Sequence, residues 1–338
     1  MPLTTRSGTY DFPIFLPVYQ PQSNLVSMDA IANELGFRGL IMNGFFMYKN
    51  AEVKAKLLGE ATVKEHVGFD GLVMTDSGAF QGLKRPLYLS NKKIVKFQDQ
   101  IGADIISPLD LITPPGDNFP TAEQKMNATH KRIKQALEIT EHSILAGVQQ
   151  GGRFLELRKR SMDALMEMQV QYVAIGSLVP FFNRRHDMKF IIPVMRNVAA
   201  VLEGTDMPVH IYGAGDPVEL PFLFALGANI FDSSSYGHYA QQGWYMTRYG
   251  ALNAAQEHLI PEYGCTCVAC TGEEGVEGIL DDAPRLARHN LETIKATMQT
   301  IREQSAAGTL EAHLAHVLDQ HQQWFPDSLL KSSWEEGF

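Results

Sequence analysis

Eight short apolar runs alternate with stretches of helical composition, and this alternation constrains the fold more than any other feature. The runs have the length and composition of buried parallel strands. They are Ile14–Val18, Leu40–Asn43, Leu72–Asp76, Asp104–Asp110, Ile144–Gln150, Tyr172–Ser177, Val209–Gly213 and Asn229–Asp232. Eight strand–helix alternations predict an α/β fold, namely an eight-stranded (β/α) TIM-type barrel. A doubly wound open sheet is the alternative.

The composition is that of a globular protein, with 45% hydrophobic and 20% charged residues in a chain of 338. No apolar run reaches the roughly 18 residues that would indicate a membrane span, and the polar start does not resemble a signal peptide. We therefore expect a soluble, cytoplasmic protein without membrane contact. The net charge of −9 argues against a broad nucleic-acid footprint. A local basic surface, or simply solvated faces, could be formed by Arg153, by RKR at 158–160 and by residues 183–185.

Polar residues stand at the predicted carboxyl ends of the strands, where parallel barrels carry their catalytic groups. They are Asn43, Asp76, Asp110, Gln150, Ser177, Gly213 and Asp232. The pattern is clearest in GLVMTDSGAFQ at 71–81, where a buried run changes abruptly into Asp76, Ser77 and Gly78. Taken alone, Asp76 fits a helix N-cap better than a catalytic acid. The recurrence of the pattern at other strand ends favours a catalytic mouth.

Two segments interrupt the alternation and suggest how the chain is divided. Residues 113–121, TPPGDNFPT, contain three prolines and a glycine and predict a rigid loop at the mouth, not a helix. After the last strand the chain becomes cysteine-containing and then helical. We expect a barrel core over residues 1–235, a zinc-binding subdomain over 236–290, and a helical segment over 291–338 that packs on the barrel.

Three cysteines lie within six residues, as Cys265, Cys267 and Cys270, which is too close for a disulfide framework. Three thiolates and one imidazole complete the tetrahedral shell of a structural zinc ion and leave no position for water. His289, which follows the last cysteine after 19 residues, is the preferred fourth ligand, and His258 is the other candidate.

Three carboxylates and an amide around one mouth suit either metal-assisted hydrolysis or glycosyl transfer. No predicted strand ends in histidine, and hydrolytic metal sites usually contain histidine clusters, so glycosyl transfer is favoured. Asp110 and Gln150 could hydrogen-bond the edge of a planar base, and Phe80 could stack on its face.

The chain resembles the tRNA-guanine transglycosylases of the archaeal type, a family that exchanges a guanine in tRNA for a 7-deazaguanine. The matching motifs include the C-x-C-x2-C cluster and occur in family order over about residues 10 to 300. They are TDSGAFQ at 75–81, SPLDLITPPG at 107–116, GVQQGGRF at 147–154, AIGSLVP at 174–180, YGAGDP at 212–217, FDSSSY at 231–236 and HNL at 289–291.

The resemblance implies a role for each candidate residue. Asp232 would be the nucleophile that forms a covalent enzyme–ribose intermediate, and Asp76 would be the general acid/base. Zinc would be structural, and no redox cofactor would be needed. The residues that would bind the base are Phe80, Asp110, Gln150, Gly176 and Ser177. The zinc ligands would be Cys265, Cys267, Cys270 and His289. A homodimer is expected from the family.

Some features depart from the family pattern. SSSY follows Asp232 where bacterial queuine-type enzymes have Pro-Thr-Arg, which indicates the archaeal branch and 7-cyano-7-deazaguanine as the incoming base. From its length we expect the chain to lack the additional C-terminal domains of the archaeal enzymes. The polymer substrate is expected to be tRNA. Because a short core of this kind also resembles relatives that insert 7-deazaguanines into DNA, DNA is the alternative. A non-catalytic nucleic-acid-binding subunit and a generic barrel hydrolase are alternatives of other classes.

Overall fold

The computed structural model describes residues 2–83 and 89–337, which form thirteen strands and fourteen α-helices. The strands are β1 (Leu3–Thr5), β2 (Gly8–Tyr10), β3 (Ile14–Pro17), β4 (Gly39–Asn43), β5 (Leu72–Asp76), β6 (Ile105–Ile106), β7 (Ile144–Leu145), β8 (Gly147–Gln149), β9 (Val173–Ile175), β10 (Val209–Ile211), β11 (Ile230–Ser233), β12 (Tyr245–Thr247) and β13 (Gly250–Leu252).

Helices cover the outside of the strands and make up most of the region after β11. They are α1 (Gly44–Lys49), α2 (Ala51–Gly59), α3 (Val63–Val67), α4 (Asn91–Gln100), α5 (Phe119–Leu137), α6 (Leu155–Glu167), α7 (Ile191–Val201), α8 (Leu220–Ala225), α9 (Ser235–Ala240), α10 (Ile260–Tyr263), α11 (Val268–Thr271), α12 (Ala283–Ala306), α13 (Leu310–Trp324) and α14 (Leu330–Gly337). Short 3₁₀ helices occur at Ala79–Leu83, Val179–Phe181 and Ala254–Leu259, and a π-helical turn at Ala30–Glu34.

Two parallel sheets with the orders β4-β5-β6-β7 and β3-β11-β10-β9-β8 form the centre of the molecule. They meet along both edges. Only Ala146 separates β7 from β8, and Val18, just after β3, pairs in parallel with Ile41 of β4. An open doubly wound sheet would keep its two edge strands apart. The strand order is therefore that of the predicted eight-stranded α/β barrel, with the hydrogen-bonded ladder interrupted at these two places.

Two predicted boundaries are clearly wrong, and the local bonds of Pro108 and of Asn118 explain them. The predicted strand Asp104–Asp110 is reduced to β6, because Pro108 cannot donate to a ladder and Asp110 N instead donates to Pro108 O (2.9 Å) in a turn. The predicted loop 113–121 ends early, since α5 begins at Phe119. The Asn118 side chain accepts from Thr121 N and caps this helix, and Pro120 is tolerated in its first turn.

Side chains alternate between the barrel interior and the outer helical layer, as the pleat of a strand requires. Ile14, Leu72, Met74, Val148 and Ile230 belong to one apolar cluster inside the barrel. Their chain neighbours, such as Phe15, Val73 and Phe231, pack in the clusters outside. Continuing this alternation by two residues places the strand-terminal polar groups in the interior, at one end of the barrel: Asn43, Asp76, Gln150 and Asp232.

The region after β11 shares a continuous apolar core with the barrel helices. Cys267, Ala269 and Leu314 belong to the same cluster as Ile175 and Val198. The predicted domain limits at 235/236 and 290/291 fall within α9 and α12. The division into three units therefore stays a prediction. No helix in the described ranges is both long and apolar enough to span a membrane.

Candidate active site and metal centre

Asp76 ends β5 and is tied to the turn that follows it. Its Oδ1 accepts from Gly78 N (2.6 Å), and its Oδ2 accepts from Asn43 Nδ2 (3.3 Å). Gly78 has a φ of +79°, and a Cβ there would lie 2.2 Å from Phe45 Cβ, so only glycine fits this turn. Asp76 thus fixes the turn that follows β5, while Asn43 is the residue that caps an α-helix, α1.

Burial raises the pKa of Asp76 to about 7 from 3.8, and the nearby charges of Asp232 and Asp110 contribute to this increase. The hydrogen bond from Gly78 N opposes it. A carboxyl group that titrates near neutral pH can both give and accept a proton under physiological conditions. The electrostatic coupling also indicates that the three aspartates predicted from separate strand ends lie close together.

Asp110, Gln150 and Ser177 form a hydrogen-bonded chain across three neighbouring strand ends. Gln150 Nε2 donates to Asp110 Oδ2 (2.6 Å), and Ser177 Oγ donates to Gln150 Oε1 (2.6 Å). Burial raises the pKa of Asp110 to about 6, and the bond from Gln150 holds that increase down. A Cβ at Gly176 would lie 2.6 Å from Gln150 Nε2, so the glycine leaves room for this amide.

Arg158 is fully buried and donates hydrogen bonds to backbone carbonyl groups next to Gln150 and Ser177. Its Nη1 donates to Gly176 O (2.7 Å), its Nε to Gly152 O (3.0 Å) and its Nη2 to Ser177 O (3.3 Å). Burial lowers the pKa of its guanidinium to about 9, so the side chain remains charged at neutral pH.

The candidate basic surface at RKR, residues 158–160, is therefore wrong for Arg158, while Lys159 and Arg160 are exposed. The sequence contains a signal that could have shown this. Leu157, Arg158, Ser161, Met162 and Leu165 are the buried residues of α6, and they recur at the spacing of one helical face.

Asp232 lies on β11 and is buried. Its Oδ1 accepts from Gly213 N (3.2 Å) and lies 2.8 Å from Nε2 of His210 on the neighbouring strand β10.

Tyr212, two residues after His210, is hydrogen-bonded through its hydroxyl to Ser107 Oγ (2.8 Å). Burial, and then the charges of Asp110, Asp232 and Asp76, raise the pKa of Tyr212 well above 10. Sequence reasoning did not single out His210 or Tyr212.

Phe80 lies on the 3₁₀ helix that follows the Asp76 turn, and its side chain is 56% exposed. Aromatic rings of this size are usually buried, whereas that of Phe80 is not, so the face of the Phe80 ring is available for stacking.

Arg153 and Arg184 are also exposed. Arg184 lies 3.6 Å over the Trp244 ring, and Arg153 lies 5.3 Å from the centre of the Phe154 ring. The exposure of these two arginines is compatible with the predicted local basic surface, which stays a prediction.

Cys265, Cys267 and Cys270 from one short segment and His289 from α12 converge into one cluster. Their potential ligand atoms all lie within 4.8 Å of one another, and the three Sγ atoms lie 3.3–3.5 Å from His289 Nδ1. His258, the other predicted candidate, lies outside this cluster and is exposed. His289 lies on the long helix α12, which packs next to the cysteines.

The surroundings of the cluster suit a metal ion. His289 Nε2 lies 2.8 Å from Met246 O, which places the ring proton on Nε2 and leaves Nδ1 free to bind a metal ion. The Tyr245 ring stacks on the imidazole at 3.7 Å, and its hydroxyl lies 3.2 Å from Cys270 Sγ. Three cysteines and one histidine are a donor set that zinc prefers, so the residues fit a metal site.

Comparison with known proteins places this chain in a family. The family model described as "Queuine tRNA-ribosyltransferase" matches residues 2–323. The chain belongs to this family, as the motifs in its sequence indicated.

Similar curated proteins come from archaea and carry the name tRNA-guanine(15) transglycosylase. The protein from Methanopyrus kandleri is 34% identical over 306 residues, which cover 88% of this chain and 64% of the relative. The protein from Methanosarcina mazei is 33% identical over 313 residues, covering 91% and 62%. The protein from Thermococcus kodakarensis is 32% identical over 313 residues, covering 91% and 53%. This chain therefore spans less than two thirds of the length of these relatives.

Proposed function

We propose that this protein is a pentosyltransferase that replaces a guanine in tRNA with a 7-deazaguanine such as 7-cyano-7-deazaguanine. The observation that carries the proposal is the position of Asp76 and Asp232 at one end of the barrel, beside the Asp110–Gln150–Ser177 chain. Family membership and the names of the archaeal relatives support both the polymer and the leaving base.

The first chemical step forms a covalent intermediate. A carboxylate oxygen of Asp232 attacks C1′ of the ribose, a C–O bond forms, and the C1′–N9 bond breaks. The electron pair of that bond leaves with guanine, which takes a proton from protonated Asp76. A pKa of about 7 leaves enough of the protonated form of Asp76 for this role.

The second step reverses the first with a different base. Asp76, now a carboxylate, removes the N9 proton of the incoming 7-deazaguanine, and N9 attacks C1′ as the bond to Asp232 breaks. One proton is given and one is recovered, so the exchange needs no nucleotide or redox cofactor. Two displacements at C1′ retain its configuration.

The base would be held by groups that match its edge. The Asp110 carboxylate can accept from the N1–H and exocyclic amine of a guanine-like base, and Gln150 Nε2 has a second hydrogen for its carbonyl oxygen. A buried site matched in this way rejects bases that leave a donor or acceptor unpaired. Gly176 and Ser177 form the adjoining wall, and the exposed Phe80 would stack on the base.

Cys265, Cys267, Cys270 and His289 would hold a structural zinc ion. All four ligand positions are protein side chains, so no water would be activated there. The expected homodimer and the cytoplasmic location stay predictions from the family resemblance and from the composition.

Base exchange can be tested with radiolabelled guanine, offered together with unmodified tRNA or duplex DNA to the purified protein. We expect label in tRNA, and a chase with unlabelled 7-cyano-7-deazaguanine should release it. Asp232→Asn should lower exchange by at least about 10³-fold, and Asp163→Asn, on the exposed face of α6, should leave it unchanged. Label in DNA alone would assign the chain to DNA modification. Absence of label in both polymers would contradict the proposal.

A further inference from the structure

His210 is a fully buried histidine in the middle of strand β10, between Val209 and Ile211, which pack outside the barrel. The alternation of the strand therefore directs its ring inward, next to Asp232 on β11. The two strands are parallel neighbours, with His210 paired to Ile230. A polar ring at this depth needs partners for both nitrogens, because an unpaired buried polar group is costly.

The first partner of His210 is Tyr172, whose hydroxyl lies 2.8 Å from Nδ1. Tyr172 is fully buried, and burial raises its pKa well above 10, so its hydroxyl keeps its proton at neutral pH. A protonated hydroxyl can donate to Nδ1, and an Nδ1 that accepts this bond carries no proton. The ring proton is then on Nε2, on the side of Asp232.

The second partner is Asp232 Oδ1, 2.8 Å from Nε2. This contact is short, but Nε2 makes no well-aligned hydrogen bond in the described part of the chain. Contacts in catalytic sites are often misaligned until substrate is present. Gly213 N donates to the same oxygen (3.2 Å). Within the described residues no hydrogen bond reaches the other carboxylate oxygen, Oδ2.

We propose that His210, fixed in its Nε2–H tautomer by Tyr172, is a positioning residue that holds Oδ1 of Asp232 and so presents Oδ2 as the attacking atom. This inference rests on the proposed function. The bond to C1′ forms at Oδ2, the glycosidic electron pair leaves with guanine, and the proton for guanine comes from Asp76. The proton on His210 stays on Nε2 throughout, where it stabilises the ester formed and the carboxylate released.

The arrangement predicts a loss in turnover without a matching loss in binding. His210→Phe removes the Nε2–H donor and should lower kcat for base exchange by about 100-fold, while KM for tRNA and for guanine changes less than about threefold. His210→Gln places an amide N–H near the position of Nε2 and should recover at least tenfold of that loss. His321→Gln, at a buried histidine of α13, is the matched control and should exchange like the unmodified chain.

Nitrogen-15 NMR of the histidine-labelled chain reads the tautomer without any assay of activity. The His210 signals, assigned by their loss in His210→Gln, should show one protonated nitrogen, Nε2, at pH 7. Tyr172→Phe should mix the two tautomers. Two protonated nitrogens, or a proton on Nδ1, would overturn the assignment.

The kinetic outcomes are equally decisive. The positioning role would be refuted by a folded His210→Phe chain that exchanges base at the unmodified rate. It would also be refuted if only KM changed and kcat did not. If His210→Phe is unfolded, thermal melting will show it, and the comparison passes to His210→Gln and Tyr172→Phe. If the unmodified chain exchanges no base, the proposed function fails, whereas the tautomer measured by NMR still stands or falls by itself.

Discussion

Gln150 Nε2 lies 2.6 Å from Asp110 Oδ2, and this bond joins the ends of two strand–loop units that are 40 residues apart in the chain. The Gln150 amide cannot rotate by half a turn without also losing a second hydrogen bond, because Ser177 Oγ donates to its oxygen. The pair therefore offers a fixed pattern of one acceptor and one donor toward the barrel mouth. In the proposed function, such a pattern would select a base by its edge.

Gln150→Glu should weaken binding of the base while leaving the fold intact. The new carboxylate would face Asp110 at hydrogen-bond distance, so one of the two would have to bind a proton. The donor–acceptor pattern changes, and we expect KM for guanine to rise by about 100-fold. Steady-state exchange kinetics measure this value. Gln299→Glu, exposed on α12, is the control, and an unchanged KM in Gln150→Glu would exclude this amide from base binding.

Formation of the covalent intermediate should slow as the pH rises through about 7. Burial raises the pKa of Asp76 to about 7, and the proposed first step requires the protonated form, which is lost above that value. Rapid-quench measurement of the first turnover between pH 5.5 and 9 would show the decline. In Asp76→Asn the remaining slow reaction should lose this dependence. A rate that increases through pH 7 would mean that Asp76 acts first as a base.

Arg158→Met should destabilise the chain although it removes a positive charge from a buried position. Three backbone carbonyl groups, on Gly152, Gly176 and Ser177, would lose their donor, and each such loss costs about 1–3 kcal/mol. We expect the free energy of unfolding in urea to fall by about 3 kcal/mol or more. Lys159→Met, at the exposed neighbour, should change it by less than about 0.5 kcal/mol. Equal effects at the two positions would contradict the supporting role of Arg158.

Removal of the metal should affect stability before it affects chemistry. The protein should bind one zinc ion per chain, and Cys267→Ser should abolish that binding and lower Tm by about 10 °C or more. His258→Ala, outside the cluster, should retain both zinc and Tm. Metal content by mass spectrometry, with melting curves, tests this prediction. Full zinc binding by the Cys267→Ser chain would show that the cluster is not the metal site.

The sequence was sufficient to predict the features that depend on local pattern. Apolar runs that end in Asp76, Gln150 or Asp232 predict strands, and the pleat alone then directs these side chains into the barrel. The cysteine spacing likewise predicted a cluster that the structure brings together with His289. The short strand β6 and the early start of α5 required knowledge of how Pro108 and Asn118 bond locally.

The missed residues depend on contacts between distant segments. His210 and Tyr172 lie inside apolar runs, and their importance appears only when strands β9, β10 and β11 are placed side by side. Arg158 resembles a surface charge because RKR is a basic run, and its partners are carbonyl groups that no sequence pattern identifies. Residues 84–88, which follow the stretch containing Phe80, lie outside the described residues.

The most direct test of the proposed mechanism is to trap the covalent intermediate. The chain would be mixed with tRNA, quenched in acid within one turnover, separated on a denaturing gel, and any protein–tRNA adduct digested for mass spectrometry. We predict an adduct whose modified peptide contains Asp232, and no adduct with Asp232→Asn. An adduct on another residue, or base exchange at the unmodified rate by Asp232→Asn, would contradict it.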